Sequence, residues 1–256
     1  MINLEVINTE KTQEYINAIY SRRSALSNYY GQKFEKKDKF FQTNDTFLQA
    51  KPVRDFYRIY FSSNDKKELT EILQNLEGTN VINFPTKSEI SEIQEFMNEC
   101  GYEQIGIYER FVYDVKKLKY DDDISNIEFA ATGDEEQIYN LYSSWKGFNP
   151  YTDYLPTLEE LKKFIENKTV IINKQDNKIV GVCTFEPQGR KYYSGLYIDI
   201  SKDGLTLIMH LFNILKHNKI EYLYFWVNAD NKRVKTLHQL LGATPDGLKD
   251  YTFIKK

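Results

Sequence analysis

One order of elements occurs twice along this 256-residue chain. Each half closes on a strand, a capped helix, a second strand, a second helix stopped by glycine, and a last strand. In the first half the residues predict these over 55–62, 65–76, 80–84, 88–100 and 102–115. In the second half they fall at 192–200, 203–216, 221–227, 230–241 and 251–254. The strands are runs of aromatic and β-branched residues, such as Tyr-Leu-Tyr-Phe-Trp-Val at 222–227, which suit a half-buried pleated surface. The helices open on Asn64 or Asp65, on Ser88, and on one of Asn228, Asp230 and Asn231 as caps, and carry apolar residues at i, i+3 and i+7, as at Val234, Leu237 and Leu241. Gly101 and Gly242 are the matching stops, because a left-handed C-terminal residue is cheapest as glycine. An alternation of strand and helix on this scale defines an α/β (α+β) chain with a mixed sheet in each half, flanked by helices.

Composition narrows the function. Hydrophobic residues make up 41% and charged residues 28%, with a formal net charge of −3. That balance opposes a whole-surface grip on nucleic acid, and no nucleic-acid or membrane partner is expected. No apolar run is long enough to span a bilayer, and the first residues lack the basic start and apolar core of a leader. The two cysteines, Cys100 and Cys183, are isolated, which fits reduced thiols and a cytoplasmic home. No Cys or His pair stands at ligand spacing, so no metal is expected.

Between the repeated blocks the reading is less regular. Residues 2–7 read as a strand and 9–29 as a polar helix; 34–45 carries no clear pattern. The charge run 116–126 separates the halves. The expected division is therefore a domain over 1–118, a linker over 119–126 and a domain over 127–256. In the second domain, Thr157 and Glu160 form a capping box, and Asp176-Asn177 turns one strand into the next as a hairpin. The loop Trp145 to Tyr154 sets aromatics beside polar groups; it reads as an acceptor border or as packed loop.

The segment Asn231, Val234, His238, Gly242 and Ala243 resembles the GNAT acyltransferase superfamily. There an Asn is followed by Ala at i+3, an aromatic residue (usually Tyr) at i+7 and Gly-Phe at i+11 and i+12. The element order over 127–256 is similar to that family as well. The resemblance implies two GNAT-like domains, the first degenerate. Ile90 and Met97 stand at its Asn and Tyr places, and its loop 63–66 contains no glycine. It also implies acetyl-CoA as co-substrate. The pyrophosphate loop falls by position on Ser201, Lys202, Gly204 and Thr206, where only Gly204 matches the family pattern and Asp203 adds a negative charge. Ile198 and Ile200 on the preceding strand would line the cofactor, with backbone near Ile198 polarising the thioester carbonyl. Asn231 would touch the cofactor.

His238 replaces the usual Tyr and is expected to protonate the leaving thiolate with a pKa near neutrality. Glu186 and Asp199 are the two candidates for general base. Trp145, Phe148, Tyr151, Tyr154, Trp226 and Asn228 are the candidate acceptor contacts, although Trp226 also reads as core. The implied function is acyl-CoA-dependent N-acyltransfer, most simply acetyl transfer to an amine of a small molecule or peptide. Two alternatives stand beside it. One is a non-catalytic GNAT-like binding protein. The other is a Fem-type transferase using aminoacyl-tRNA, which the acidic balance opposes.

Overall fold

The computed structural model describes residue 17 and residues 26–29, 34–118, 128–145, 148–153, 155–201 and 205–256. The strand and helix expected over 2–29, apart from these residues, lie outside that set. So does nearly all of the expected linker. The chain divides into two compact units, residues 1–108 with 248–256, and residues 109–247. The C-terminal segment, read from the sequence as the end of the second domain, thus groups with the first unit. Residues 109–118, read as the end of the first, group with the second.

In the first unit the strands are β1 (Leu26–Ser27), β2 (Lys39–Gln42), β3 (Thr46–Val53), β4 (Phe56–Ser63) and β5 (Asn80–Thr86), with the outer part of β12 (Thr244–Lys255). The sheet order is β2-β3-β4-β5-β12. Helices α1 (Lys66–Gln74) and α2 (Ser91–Glu99) follow β4 and β5. Asp65 caps α1 by accepting from the Glu68 amide, as expected. The Ser88 cap is not formed: α2 starts at Ser91 behind Ile90, which is buried. Burial of an apolar side chain fixes that entry in place of a polar cap. Gly101 takes a φ of 84°, and the Tyr102 amide reaches the Met97 carbonyl, the left-handed stop predicted from the sequence. Ile59, Phe61, Ile82, Phe84, Phe96 and Phe253 form the core.

The second unit contains the inner part of β6 (Glu103–Asp114), β7 (Glu128–Phe129), β8 (Val170–Gln175), β9 (Lys178–Gln188), β10 (Lys191–Asp199) and β11 (Tyr222–Asn228). Their order is β6-β11-β10-β9-β8-β7. Asp176 and Asn177 both take positive φ, 50° and 60°, which closes the β8–β9 hairpin as its sequence requires. Helices α3 (Glu135–Ser143) and α4 (Leu158–Glu166) pack with Val182 and Ile198 on one face. Helix α4 begins in a complete Thr157–Glu160 capping box. Helices α5 (Thr206–His217) and α6 (Lys232–Leu240) border the other face, with Phe111, Tyr113, Cys183 and Phe225. Each fully buried large side chain here contributes about 1.5–3 kcal/mol. Among the described residues no helix is long and apolar enough to cross a membrane.

Candidate functional site

Two features of β10 shape a cleft. The first is its short pairing with β11. The strands are parallel and pair at Lys191 with Tyr222, Tyr192 with Leu223, and Tyr193 with Tyr224. Beyond that point β10 follows β9 and β11 diverges from it. The second is an irregularity between Ser194 and Tyr197. There Thr184 Oγ1 accepts from the Leu196 amide at 2.8 Å, filling the bulge.

Strand alternation then fixes which backbone groups face the gap. The Ile200 amide donates to Val180 on β9, so Ile198, two residues earlier, turns its amide and carbonyl toward β9 as well. The groups turned toward the gap belong to Tyr197 and Asp199. The backbone near Ile198 that faces the gap is thus that of its two neighbours, while Ile198 and Ile200, expected to line a cofactor, turn their backbone to β9. The Ile198 side chain is buried against α3 and α4, and Ile200 is 54% exposed.

Tyr197, Asp199 and His238 border the cleft on the α5 and α6 side. Tyr197 accepts a backbone hydrogen bond from Ile208 in the first turn of α5, and burial drives its phenol pKa far up. Asp199 stands opposite Gly181. A Cβ on Gly181 would meet Leu207 Cδ1 at 2.8 Å and Asp199 Oδ1 at 3.3 Å, so glycine leaves room for both side chains where they now lie. Asp199 Oδ1 accepts from both the amide and the hydroxyl of Ser201. Its Oδ2 is buried without a partner. Ser201 is thereby committed to Asp199 in this structure. Lys202 and Gly204 lie outside the described residues. Thr206 begins α5.

His238 projects from α6 onto Phe225, the first β11 residue after the strands part, with ring centroids 4.3 Å apart. Its Nδ1 is 2.7 Å from the Tyr113 hydroxyl. Burial lowers the imidazole pKa to about 4. That corrects the near-neutral value expected from sequence: the ring is uncharged at pH 7. In the tautomer protonated on Nε2, Tyr113 donates to Nδ1 and Nε2–H is the outward donor. Asn231 caps α6 by accepting from the Val234 amide. Gly242 ends it at φ 95°, with the Ala243 amide returning to the His238 carbonyl.

Glu186 lies on the opposite sheet face. It pairs across from Tyr193, the last β10 residue before the gap. Burial raises its pKa, and it acts electrostatically on Tyr193 and Tyr224, whose rings sit 5.3 Å apart. Arg110 extends this face. It forms an ion pair with Asp246, and its guanidinium lies 5.6 Å from the Tyr224 ring and 5.9 Å from that of Trp226. The two carboxylates proposed as alternatives from sequence therefore stand on opposite sides of one sheet. Trp226 joins Glu186 on its face, with Arg110 over its ring.

Asn228 accepts from the Asp230 amide in a tight turn. In the aromatic loop, Trp145 is 45% exposed, Phe148 packs against the α3–α4 cluster, and the Tyr151 amide bonds Asn149. Tyr154 lies outside the described residues. Tyr113, Tyr197, Gly181 and Arg110 were not singled out from sequence. With 20 tyrosines in the chain, no single one stands out.

The first unit carries the same parting of strands, but its cleft is occupied. β4 and β5 are parallel and pair at Tyr57 with Asn80, Arg58 with Val81 and Ile59 with Ile82, after which they separate. β3 lines one edge of β4 along its whole length. β1, paired at Leu26 with Ser63 and Ser27 with Ser62, takes the other edge, inside the gap. Asn28 spans what remains. Its Nδ2 donates to the Ile59 carbonyl at 2.9 Å and the Asn83 carbonyl at 3.2 Å, and its Oδ1 accepts from the Phe61 amide at 2.7 Å. A residue of the chain itself supplies the bonds that the parted strands no longer give each other.

Each unit contains a parallel strand pair that parts, with a helix following each strand, and in the second unit the parting lies beside a bulge; this is a GNAT-like fold. No protein-family model matches the sequence, and no curated protein matches it. Solved structures do. A GCN5-related N-acetyltransferase from Sphaerobacter thermophilus matches with a TM-score of 0.62 at 12% identity, over 88% of this chain and 82% of its own. A GNAT-family acetyltransferase from Colwellia psychrerythraea matches at 0.60 and 12% identity, over 100% of both chains. A tandem GNAT protein from the clavulanic acid biosynthesis pathway matches at 0.54 and 8% identity, over 92% and 84%.

Proposed function

We propose that the second unit is an acyl-CoA-dependent N-acyltransferase and that the first is a non-catalytic copy. The observation that carries this reading is the contrast between the clefts. In the second unit β10 turns backbone of Tyr197 and Asp199 into the gap. In the first unit β1 and Asn28 fill the equivalent gap. An extended pantetheine arm needs a strand edge to bond, and of the two clefts it is the second whose edge is not filled by a strand of the described residues.

The thioester would sit where β10 and β11 part. Its carbonyl would be polarised by the amides of β10 beyond the bulge. The diphosphate would meet the first turn of α5, a 12-residue helix whose N-terminal dipole favours an anion. Ser201 and Thr206 flank this approach, and Lys202 and Gly204 are proposed for it from their sequence positions alone. The amine would come from the Glu186 face, past Trp226 and Tyr224. Glu186, with its raised pKa, takes the proton as nitrogen attacks the carbonyl carbon. The tetrahedral intermediate collapses by breaking the C–S bond. A neutral His238 is a poor proton store, so its part is to donate a hydrogen bond from Nε2 to the departing thiolate. Asp199, tied to Ser201 on the other face, is left as a positioning residue for the start of α5. No metal enters this scheme.

A binding protein without turnover is the second reading, favoured by the commitment of Ser201 to Asp199. Calorimetric titration with acetyl-CoA, followed by thiol release with a panel of amines, separates the two. Binding with release supports the enzyme. Binding without release for any amine supports the second reading.

A further inference from the structure

The face of the first unit turned away from α1 and α2 carries polar side chains that no packing argument explains. Gln49 pairs across from Tyr60 on the neighbouring strand, and Asn83 pairs across from Thr252. Strand alternation puts Arg58 and Tyr60 of β4 and Asn83 of β5 on one face, with Asp250 and Thr252 of β12. The row lies at the level where β4 and β5 part and Asn28 bridges them. Asp38 joins it at one end: its Oδ2 accepts from Gln49 at 2.7 Å and from the Glu35 amide at 2.8 Å. Asp250 joins at the other: its Oδ2 accepts from Asn83 Nδ2 at 2.9 Å, and the same nitrogen lies 3.0 Å from Thr252 Oγ1. Tyr60 lies between them, within electrostatic reach of Asp38, Arg58 and Asp250.

Among the described residues, three acceptor atoms on the Asp and Asn side chains of this cluster are buried without a hydrogen-bond partner: Asp38 Oδ1, Asn83 Oδ1 and Asp250 Oδ1. Asp38 is 0% exposed and Asn83 is 6% exposed. All three atoms are acceptors. Leaving a buried acceptor without a donor is costly, and natural folds rarely do so without a reason. Asp38, Asp250 and the Arg58 guanidinium together carry one net negative charge, beside the Lys51–Glu35 ion pair. A ligand that answers both facts carries N–H donors and a single positive charge.

We propose that this face of the first unit binds a small primary aliphatic ammonium, held by Asp250 and Asn83 with Tyr60 and Asp38 beside them. The acyl-transfer reading does not require it, because every residue named lies in the unit whose cleft is filled. The copy that gave up a thioester site would keep a site for a cation.

Ethylammonium chloride is the probe, titrated into the full chain by calorimetry, with tetramethylammonium chloride as the control that has charge but no N–H donors. A three-heavy-atom ligand is limited to roughly millimolar affinity. The expected result is saturable ethylammonium binding with a Kd on the order of 1–10 mM and no saturable binding of tetramethylammonium. Asp250→Asn, shown folded by circular dichroism, should weaken ethylammonium binding by about tenfold, and Asp38→Asn, at the far end of the row, by less. Carbon-detected NMR supplies an independent readout: added ethylammonium should lower the titration midpoint of the Asp250 carboxyl. Equal binding of both cations, no saturation, or an Asp250 midpoint that ethylammonium leaves unmoved would each overturn the assignment in favour of ordered water.

Discussion

Replacing Asn28 by Ala tests whether the first unit's cleft is held shut by one side chain. Asn28 is 2% exposed and makes three side-chain hydrogen bonds, to Ile59, Asn83 and Phe61. Alanine leaves two carbonyls and one amide buried between strands that have already parted. Water has little access there. Each orphaned group costs about 1–3 kcal/mol, so the total is roughly 3–6 kcal/mol after partial relaxation. Asn28→Asp should be no better. It keeps the acceptor for Phe61 but turns a carboxylate toward the two carbonyls. Hydrogen exchange followed by NMR is the sharpest assay, because it reads single amides. Loss of about 3 kcal/mol speeds exchange of the Phe61 amide by roughly a hundredfold. Protection unchanged within about threefold would refute the reasoning, since it would mean that β1 pairing alone holds the strands.

Other consequences are open to measurement. His238→Ala should lower kcat by about tenfold to a hundredfold while KM for acetyl-CoA moves little; unchanged turnover would remove His238 from the reaction. Because its imidazole pKa is already about 4, the pH profile between 6 and 8 should not contain a histidine inflection. The acid limb should belong to Glu186, at a pH above the ordinary carboxylate range, and Glu186→Gln should abolish it. Asp250 titrates at about 6 instead of 3.8 because it is buried. The native state therefore keeps this proton longer than the unfolded chain, and the stability it confers is lost as pH rises from about 4 to about 6. Asp250→Asn should match wild type below pH 4 and be more stable above pH 6, by up to about 3 kcal/mol in urea denaturation. Both cysteines are buried, with thiol pKa values raised to about 11 for Cys100 and about 12 for Cys183. The folded protein should thus give almost no background with a thiol reagent, and unfolding should expose two thiols.

Much of the fold was legible because local signals agreed with packing. The Asp65 cap, the Thr157–Glu160 box, the Asp176-Asn177 hairpin and the stops at Gly101 and Gly242 all form as their residues demand. The Ser88 cap failed because Ile90 had a core to enter, and burial outweighs a cap. The unit boundary was not legible, because strands β6 and β12 continue across it without a break in composition. Site geometry was only partly legible. Residue types offered Glu186 or Asp199 as base and His238 as acid. They could not say that Glu186 and Asp199 face opposite sides, since the bulge after Ser194 resets the alternation. They could not give His238 its lowered pKa either, because that depends on Phe225 and Tyr113 closing over it. Asn28 lay at the end of the stretch read as a polar helix over 9–29, whereas Leu26–Ser27 form strand β1, and its role follows from a register that only the folded sheet defines.

The central claim is that the second unit, and not the first, holds acyl-CoA. Amide chemical shifts recorded during titration with acetyl-CoA test it most directly. The account predicts saturable changes at Tyr197, Asp199 and the first turn of α5, with none at Phe61 or Ile59. Changes at the β4–β5 cleft, or no saturable change anywhere at millimolar acetyl-CoA, would contradict it.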